Sequence, residues 1–395
     1  MKNLIYLLFS TFFIFSCNKE SIEKPNIILI VADDLGWTDL SYMGSKYYET
    51  PNIDNLSESG VTFFNGYASS ANCAPSRASM MTGKYHPSHG IYTVSPSARG
   101  LDITRKIIPT KNTENLDLDF FTMAEMLKSE GYINGHIGKW HLGHEGYYPK
   151  DQGFDINIGG WESGSPKGGY FSPYTNPNLE SGPKGEYLTD RLTNEAINFI
   201  DDNKEERFFL HLSYHSVHTP IQSKKEYSNY FKNKSSDENH NRPDYAGMIR
   251  SLDENIGKIL VKIGELDLEE NTLIIFTSDN GGIRAISNQF PLKAGKGSYY
   301  EGGIRVPLIF SWKGKLEAGK KSFERVSNID FYPTIKKIIG HENKNLKLDG
   351  LDLNPIFNGK KLKERSLFFH FPIYLEAYNV QKDDGKDPLF RTRPG

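Results

Sequence analysis

The stretch Pro25-Asn-Ile-Ile-Leu-Ile-Val-Ala32 runs straight into Asp33-Asp34-Leu35-Gly36. An unbroken apolar run rich in β-branched residues is the pattern of a strand buried on both faces, as in a parallel sheet covered by helices. Two further runs repeat the design. Arg207-Phe-Phe-Leu-His-Leu-Ser213 leads into Tyr214-His215-Ser216-Val217-His218-Thr219-Pro220, and Thr272-Leu-Ile-Ile-Phe-Thr277 leads into Ser278-Asp279-Asn280-Gly281-Gly282. Amphipathic helical stretches alternate with these runs, over 122–129, 188–202 and 245–264. The alternation predicts an α/β fold with a large, mainly parallel sheet flanked by helices. In such sheets ligands bind beyond the carboxyl ends of the strands, where all three polar clusters fall.

The 395 residues carry 47 Lys+Arg against 49 Asp+Glu, a formal charge of −2. This balance excludes a globally basic nucleic-acid binder, so an anionic ligand needs positive charge local to a site. Hydrophobic residues make up 37% of the chain, enough for a sizeable core and too few for a multi-span membrane protein. The length suits one large α/β domain or two to three smaller ones. Residues 159–185, rich in Gly, Pro, Ser and Tyr, read as a long surface loop, and 224–242 as an exposed polar insertion.

Met1 and Lys2 precede an apolar run from Leu4 to Phe15 that ends at Ser16-Cys17. A charged start, an apolar stretch too short to span a bilayer and a small residue before cysteine resemble a bacterial lipoprotein signal. This predicts a signal peptide over 1–16, a lipid on Cys17 and a polar linker through residue 24. The protein is then exported and anchored to a membrane, facing the periplasm or the cell surface. With Cys17 spent, Cys73 has no disulfide partner in the chain, and a leftover thiol outside the cytoplasm is either a buried bystander or chemically special.

Cys73 opens the most informative segment, Asn72-Cys73-Ala-Pro75-Ser76-Arg77-Ala-Ser-Met-Met81-Thr82-Gly83. Pro75 suits the first turn of a helix and Gly83 the position just past its end. Cys73 then sits at a helix N-terminus, which favours anions, with Arg77 one turn on and on the same face. The segment closely resembles the hallmark of the sulfatase family, Cys-x-Pro-Ser-Arg followed by three residues, Leu and Thr-Gly; Met81 stands in place of the Leu. Gly138-Lys-Trp-His-Leu-Gly143, Gly153-Phe-Asp155, Gly295-Lys-Gly297 and Tyr300-Glu-Gly-Gly-Ile-Arg-Val-Pro307 extend the resemblance from Pro25 to about Ile339. It implies an alkaline phosphatase-like sulfatase fold and conversion of Cys73 to formylglycine (3-oxoalanine) by a maturation enzyme.

Asp33, Asp34, Asp279 and Asn280 offer hard oxygen ligands from two strand ends. Each pair must lie on a turn to converge, because neighbours on a regular strand point to opposite faces. Such a set suits an oxygen-loving divalent ion better than zinc. The resemblance makes the ion Ca2+, with an oxygen of modified Cys73 completing the ligands. Lys139 and His141 stand two apart, so an extended segment projects both to one side. Matched to the family motifs, Arg77, Lys139, His141, His218 and Lys296 become the catalytic and sulfate-binding groups around Cys73. His141 would act as base, and His218 or Lys296 as acid. His86, His89, His136, His144, His211 and His215 read as packing or surface residues, with His215 the least secure.

The implied activity is sulfuric ester hydrolysis on a sulfated oligo- or polysaccharide. Two alternatives stand: a phosphonate or phosphodiester hydrolase of the same superfamily, and a lipid-anchored glycan-binding protein with an inactive site. The catalytic domain is expected over 25–370. Family members continue into a small antiparallel C-terminal subdomain, whereas here the text turns polar after Phe371 and stops at Pro394-Gly395, a turn signal. Residues 371–395 are therefore expected to be the start of a subdomain that is largely absent.

Overall fold

The computed structural model describes residues 24–374, apart from residues 95, 99–102, 104 and 106. The expected signal peptide, the lipidated Cys17 and most of the expected C-terminal segment lie outside the described residues. Among the described residues there are ten strands: β1 (Asn26–Ala32), β2 (Gly60–Phe63), β3 (Gly66–Tyr67), β4 (Ile133–Gly138), β5 (Ile156–Ile158), β6 (Phe208–Ser213), β7 (Thr272–Ser278), β8 (Leu308–Ser311), β9 (Lys320–Ser322) and β10 (Val326–Ser327). The helices are α1 (Pro51–Glu58), α2 (Cys73–Thr82), α3 (His86–His89), α4 (Met123–Ser129), α5 (Leu188–Asp202), α6 (Lys225–Asn233), α7 (Pro243–Glu265), α8 (Glu301–Ile304), α9 (Phe331–Ile338) and α10 (Asn354–Phe357).

Eight strands form one sheet in the order β5-β4-β6-β1-β7-β8-β2-β9. The three apolar runs of the sequence are its centre, with β1 parallel to both β6 and β7. Only β8 runs against its neighbours, so the sheet is mixed but mainly parallel. All seven residues of β1 are buried, and they alternate between two cores. Ile28 and Ile30 pack with α1, α5, α6 and α7, while Ile27, Leu29 and Val31 pack with α2, α4 and α9. This two-sided burial is why the run is apolar at every position instead of every second one. β3 and β10 form a separate two-stranded parallel ribbon.

Local signals set the helix ends. Thr122 caps α4 by accepting from the Glu125 N–H while the Glu125 side chain accepts from the Thr122 N–H, a reciprocal capping box. α7 starts at Pro243, two residues before the apolar periodicity shows itself, because proline fits the first helical position and contributes no apolar signal there.

The segment 224–242 departs from its expected character as an exposed insertion. Its helix α6 turns Phe231 inward to 1% exposure. That ring packs against Tyr47 at 5.5 Å between centroids, and the Tyr47 hydroxyl donates to the Phe231 carbonyl at 2.8 Å. One apolar anchor in a polar nine-residue helix escapes a compositional reading, yet it is enough to dock the helix. Phe231→Ala is therefore expected to lower unfolding free energy by about 3–4 kcal/mol in chemical denaturation. No measurable change would restore the exposed-insertion reading.

Candidate active site

Two strand ends supply the acidic groups. β1 stays laddered past Ala32: the Asp33 N–H donates to the Ser216 carbonyl at 2.8 Å, and the Asp33 carbonyl accepts from the Val217 N–H at 2.7 Å. Asp34 then adopts φ 62°, a left-handed conformation rare outside glycine. This turn breaks the alternation of the strand, so both carboxylates lie in one buried cluster. From β7, Asp279 accepts the Asp34 N–H on Oδ1 at 3.2 Å, and Asn280 Nδ2 donates to Asp34 Oδ1 at 2.8 Å. Asn280 Oδ1 is buried without a partner.

Helix α2 delivers the next two groups. Asn72 is extended at its N-cap, and Gly83 closes it at φ 64°. Cys73 is buried in the first turn, its Sγ 3.6 Å from Asp33 Oδ1 and 3.9 Å from Asp34 Oδ1. Arg77, one turn on, places Nε 2.8 Å from Asp279 Oδ2 and Nη1 3.1 Å from the Lys139 carbonyl, and Nη1 also donates to Ser213 Oγ. Its Nη2 is buried without a hydrogen-bond partner. Lys139 is fully buried with Nζ 2.7 Å from Asp33 Oδ2. Lys296 Nζ lies 2.7 Å from the Asp34 carboxylate, and His218 Nε2 lies 3.6 Å from Asp34 Oδ2.

Three buried carboxylates thus face three strong cations, of which Arg77 and Lys139 are buried and Lys296 is partly exposed. Burial opposes ionisation of Asp279, but Arg77 and then Lys139 outweigh it and hold the carboxyl well below the usual range. Burial likewise opposes the Asp34 carboxylate, and Lys296 and His218 bring it below the ordinary value. For Asp33, burial outweighs Lys139 and raises the carboxyl. Burial pushes the Cys73 thiol up to about 12. His141 is held far below the ordinary imidazole value by burial and then by the charges of Lys139 and Arg77.

The structure brings Asp33, Asp34, Cys73, Arg77, Lys139, His218, Asp279, Asn280 and Lys296 into one cluster, with His141 beside it. The route taken by His141 corrects the expected extended geometry. It sits at φ 62° with its N–H donating to the Trp161 carbonyl at 3.0 Å, so a left-handed turn and not strand alternation directs the ring. Ala74 and His141 line an open cleft of about 350 Å³ with Asn112, Glu114, His144 and Glu162.

Residues 159–185 form the long surface loop expected of them, exposed at 180, 181 and 183–185, and Trp161, Tyr170 and Leu179 anchor it inward beside the cluster. A Cβ at Gly164 would lie 2.3 Å from His141 Cε1, so the loop backbone rests on that ring. Tyr170 is fully buried, its hydroxyl 2.6 Å from the His215 carbonyl and 2.8 Å from the His218 carbonyl. Sequence reasoning missed Ser213 and Tyr170. Ser213 was legible as a strand-end hydroxyl, but nothing in the sequence pairs it with Arg77. His215 is buried at the edge of the cluster, and its Nδ1 has no partner. His86, His89, His136 and His211 are buried away from the cleft, whereas His144 is exposed on its rim.

The donor set fits a hard divalent cation. One ligand atom each from Asp33, Asp34, Cys73 and His218 lies within 4.8 Å of the others. The unpartnered Asn280 Oδ1 adds a neutral oxygen of the kind such ions take.

Sheet, helix N-terminus and buried charged cluster together define an α/β fold, of the kind shared by the alkaline phosphatase-like sulfatases, with its site beyond the carboxyl ends of the strands. Residues 25–341 match the Sulfatase family model. A sulfatase of Formosa agariphila is 33% identical over 92% of this chain and 78% of its own length. The N-acetylgalactosamine-6-sulfatase of Mus musculus is 32% identical over 88% of this chain and 69% of its own. Among solved structures, Ps i-CgsB in complex with k-i-k-neocarrahexaose superposes with a TM-score of 0.73 at 36% identity, covering 86% of this chain and 77% of that one. The chain belongs to the sulfatase family, a family of sulfuric ester hydrolases.

Tyr170→Phe removes the hydroxyl shared by two buried carbonyls and is expected to cost about 1–3 kcal/mol. Thermal unfolding measures it, and an unchanged midpoint would show that the loop is held by other contacts.

Proposed function

We propose that the protein is a carbohydrate sulfatase that removes sulfate from a sulfated oligo- or polysaccharide, using residue 73 as formylglycine and a calcium ion. The observation that carries this reading is Cys73 at the start of α2, 3.6 Å from Asp33 and among the cations Arg77, Lys139 and Lys296, the first two of them buried. A thiol pushed up to about 12 stays protonated at neutral pH and is a poor nucleophile, which argues for a precursor and not a working thiolate. Likeness to an N-acetylgalactosamine-6-sulfatase and to a carrageenan-oligosaccharide complex supports a sugar substrate. A phosphonate monoester hydrolase is also similar, but at 20% identity it shares the fold alone.

Asp33, Asp34, Asp279 and Asn280 would hold the calcium, which supplies fixed positive charge beside the sulfate oxygens. Formylglycine at position 73 would supply an aldehyde hydrate as the nucleophile toward sulfur. Arg77, Lys139 and Lys296 bind the remaining oxygens. Arg77 Nη2 is a ready donor, buried and without a hydrogen-bond partner. As the bond between sulfur and the bridging oxygen breaks, that oxygen needs a proton. Burial opposes the charge of Lys296, but Asp34 more than offsets this and makes the ammonium a weak acid. His218, with Nε2 3.6 Å from Asp34 Oδ2, would be the proton donor and Lys296 an anion clamp. His141, neutral at working pH, takes a proton from residue 73 as sulfate departs. The balance is one ester and one water consumed, and one alcohol, one sulfate and one proton released.

Paired assays on an aryl sulfate and an aryl phosphate test the reaction class, with strong preference for the sulfate expected. Asp279→Ala should lose both bound calcium and turnover. The peptide containing residue 73 should weigh about 18 Da less than its thiol form, as conversion to the aldehyde requires. Preference for the phosphate, or full calcium occupancy in Asp279→Ala, would defeat the reading.

We further propose that the protein is exported and anchored to a membrane through a lipid on Cys17, on the strength of the apolar run before that residue. Cys17→Ala should move it from the membrane to the soluble fraction. Unchanged fractionation would remove the anchor.

A further inference from the structure

We propose that His136 and His211 form a positioning couple for the active site, a neutral histidine pair whose fixed tautomers hold the peptide that aims Lys139. The couple rests on the sulfatase reading for the reaction it serves, though not for its geometry. The two residues face each other across the β4–β6 ladder, and both are buried. Their Nδ1 atoms are 3.0 Å apart, and His136 Nε2 lies 3.1 Å from the Gly138 carbonyl. Trp140 and Phe154 close around the His136 ring with centroids at 5.2 Å and 5.5 Å.

The proton positions follow from this geometry. A carbonyl only accepts, so His136 Nε2 carries the hydrogen and its Nδ1, in a neutral ring, is a bare lone pair. The 3.0 Å contact needs one hydrogen, which therefore belongs to His211 Nδ1. His211 Nε2 is left bare, and it is the buried atom of the pair without a partner. Both rings stay neutral: burial takes His136 down to about 3 and holds His211 far below its ordinary value, with Arg77 adding repulsion in each case.

The product of this order is a fixed Lys139. Gly138 adopts φ 102°, and a Cβ there would lie 2.0 Å from the Ser213 carbonyl oxygen. The next peptide N–H, that of Lys139, donates to the same oxygen at 2.7 Å. On the far side, the Lys139 carbonyl accepts from Arg77 Nη1 at 3.1 Å. With His136 on the Gly138 carbonyl, both peptide planes flanking the Lys139 Cα are held. The side chain can then meet Asp33 at 2.7 Å without searching other backbone states. Loss of His211 leaves the His136 Nδ1 lone pair bare in an apolar pocket, and the ring, no longer pinned from that side, is free to turn away from the Gly138 carbonyl.

The test combines a spectroscopic and a kinetic measurement on the intact chain. Long-range 1H–15N spectra of 15N-histidine-labelled protein should show His136 as the Nε2–H tautomer and His211 as the less common Nδ1–H tautomer. His211→Leu should lower kcat on an aryl sulfate about tenfold to a hundredfold with little change in KM. His211→Asn puts an amide N–H where the imidazole Nδ1–H was, and should recover most of that loss. An Nε2–H tautomer for His211, wild-type kcat in the Leu variant, or equal kcat in the Leu and Asn variants would overturn the couple. If the Leu variant fails to fold, the wild-type tautomers and the Asn variant still decide. The spectrum is read whether or not the wild type cleaves sulfate esters, so failure of the couple and failure of the sulfatase reading are told apart.

Discussion

Everything in the site hangs on a balance of buried charge. Asp33, Asp34 and Asp279 are each under 2% exposed, and each touches a cation: Lys139, Lys296 and Arg77 respectively. Removing any charge of such a set from water is unfavourable by several kcal/mol, and mutual attraction offsets this only with good geometry. The cluster therefore tolerates no single vacancy without leaving a partner bare. Its three carboxylates and three strong cations balance, so the cluster carries little net charge of its own.

The backbone around the cluster is bent where the chemistry needs it. Asp34, His141 and Ala294 all have left-handed φ outside glycine, and the first two carry their side chains to the site. Ala294 sits two residues before Lys296. Each such conformation is unfavourable by about 1–2 kcal/mol and persists only where surrounding contacts dictate it. Here the contacts are the ladder between β1 and the segment after β6, and the loop wall over His141. The two cores on either face of the sheet supply the stability that offsets this strain.

Loop 159–185 and helix α2 act from opposite sides. α2 is buried along its whole length, so Cys73 and Arg77 have no freedom to wander. The loop reaches over the far edge with Tyr170 beneath the His215–His218 turn and its backbone against the His141 ring. The cleft beside His141 is the opening between them, rimmed by Asn112, Glu114, His144 and Glu162.

The sequence by itself determined the class of fold and most of the residues that meet in the charged cluster. Continuous apolar runs need burial on both faces, and each ends in the polar residues that now form the cluster. Pro75 and Gly83 bracket α2 by backbone preference alone, which places Cys73 and Arg77 on one helix face. What the tertiary structure decided was pairing and direction. Arg77 binds Asp279, 202 positions away, and Lys296 binds Asp34, 262 positions away, and no local propensity encodes such partners. The turn at His141 overrode strand alternation because the Trp161 carbonyl captures its N–H. Phe231 docked a helix that composition reads as solvated, and His136 and His211 became a couple only because β4 and β6 are adjacent. Local signals fix which residues can bend, cap or bury; the register of distant strands fixes which of them meet.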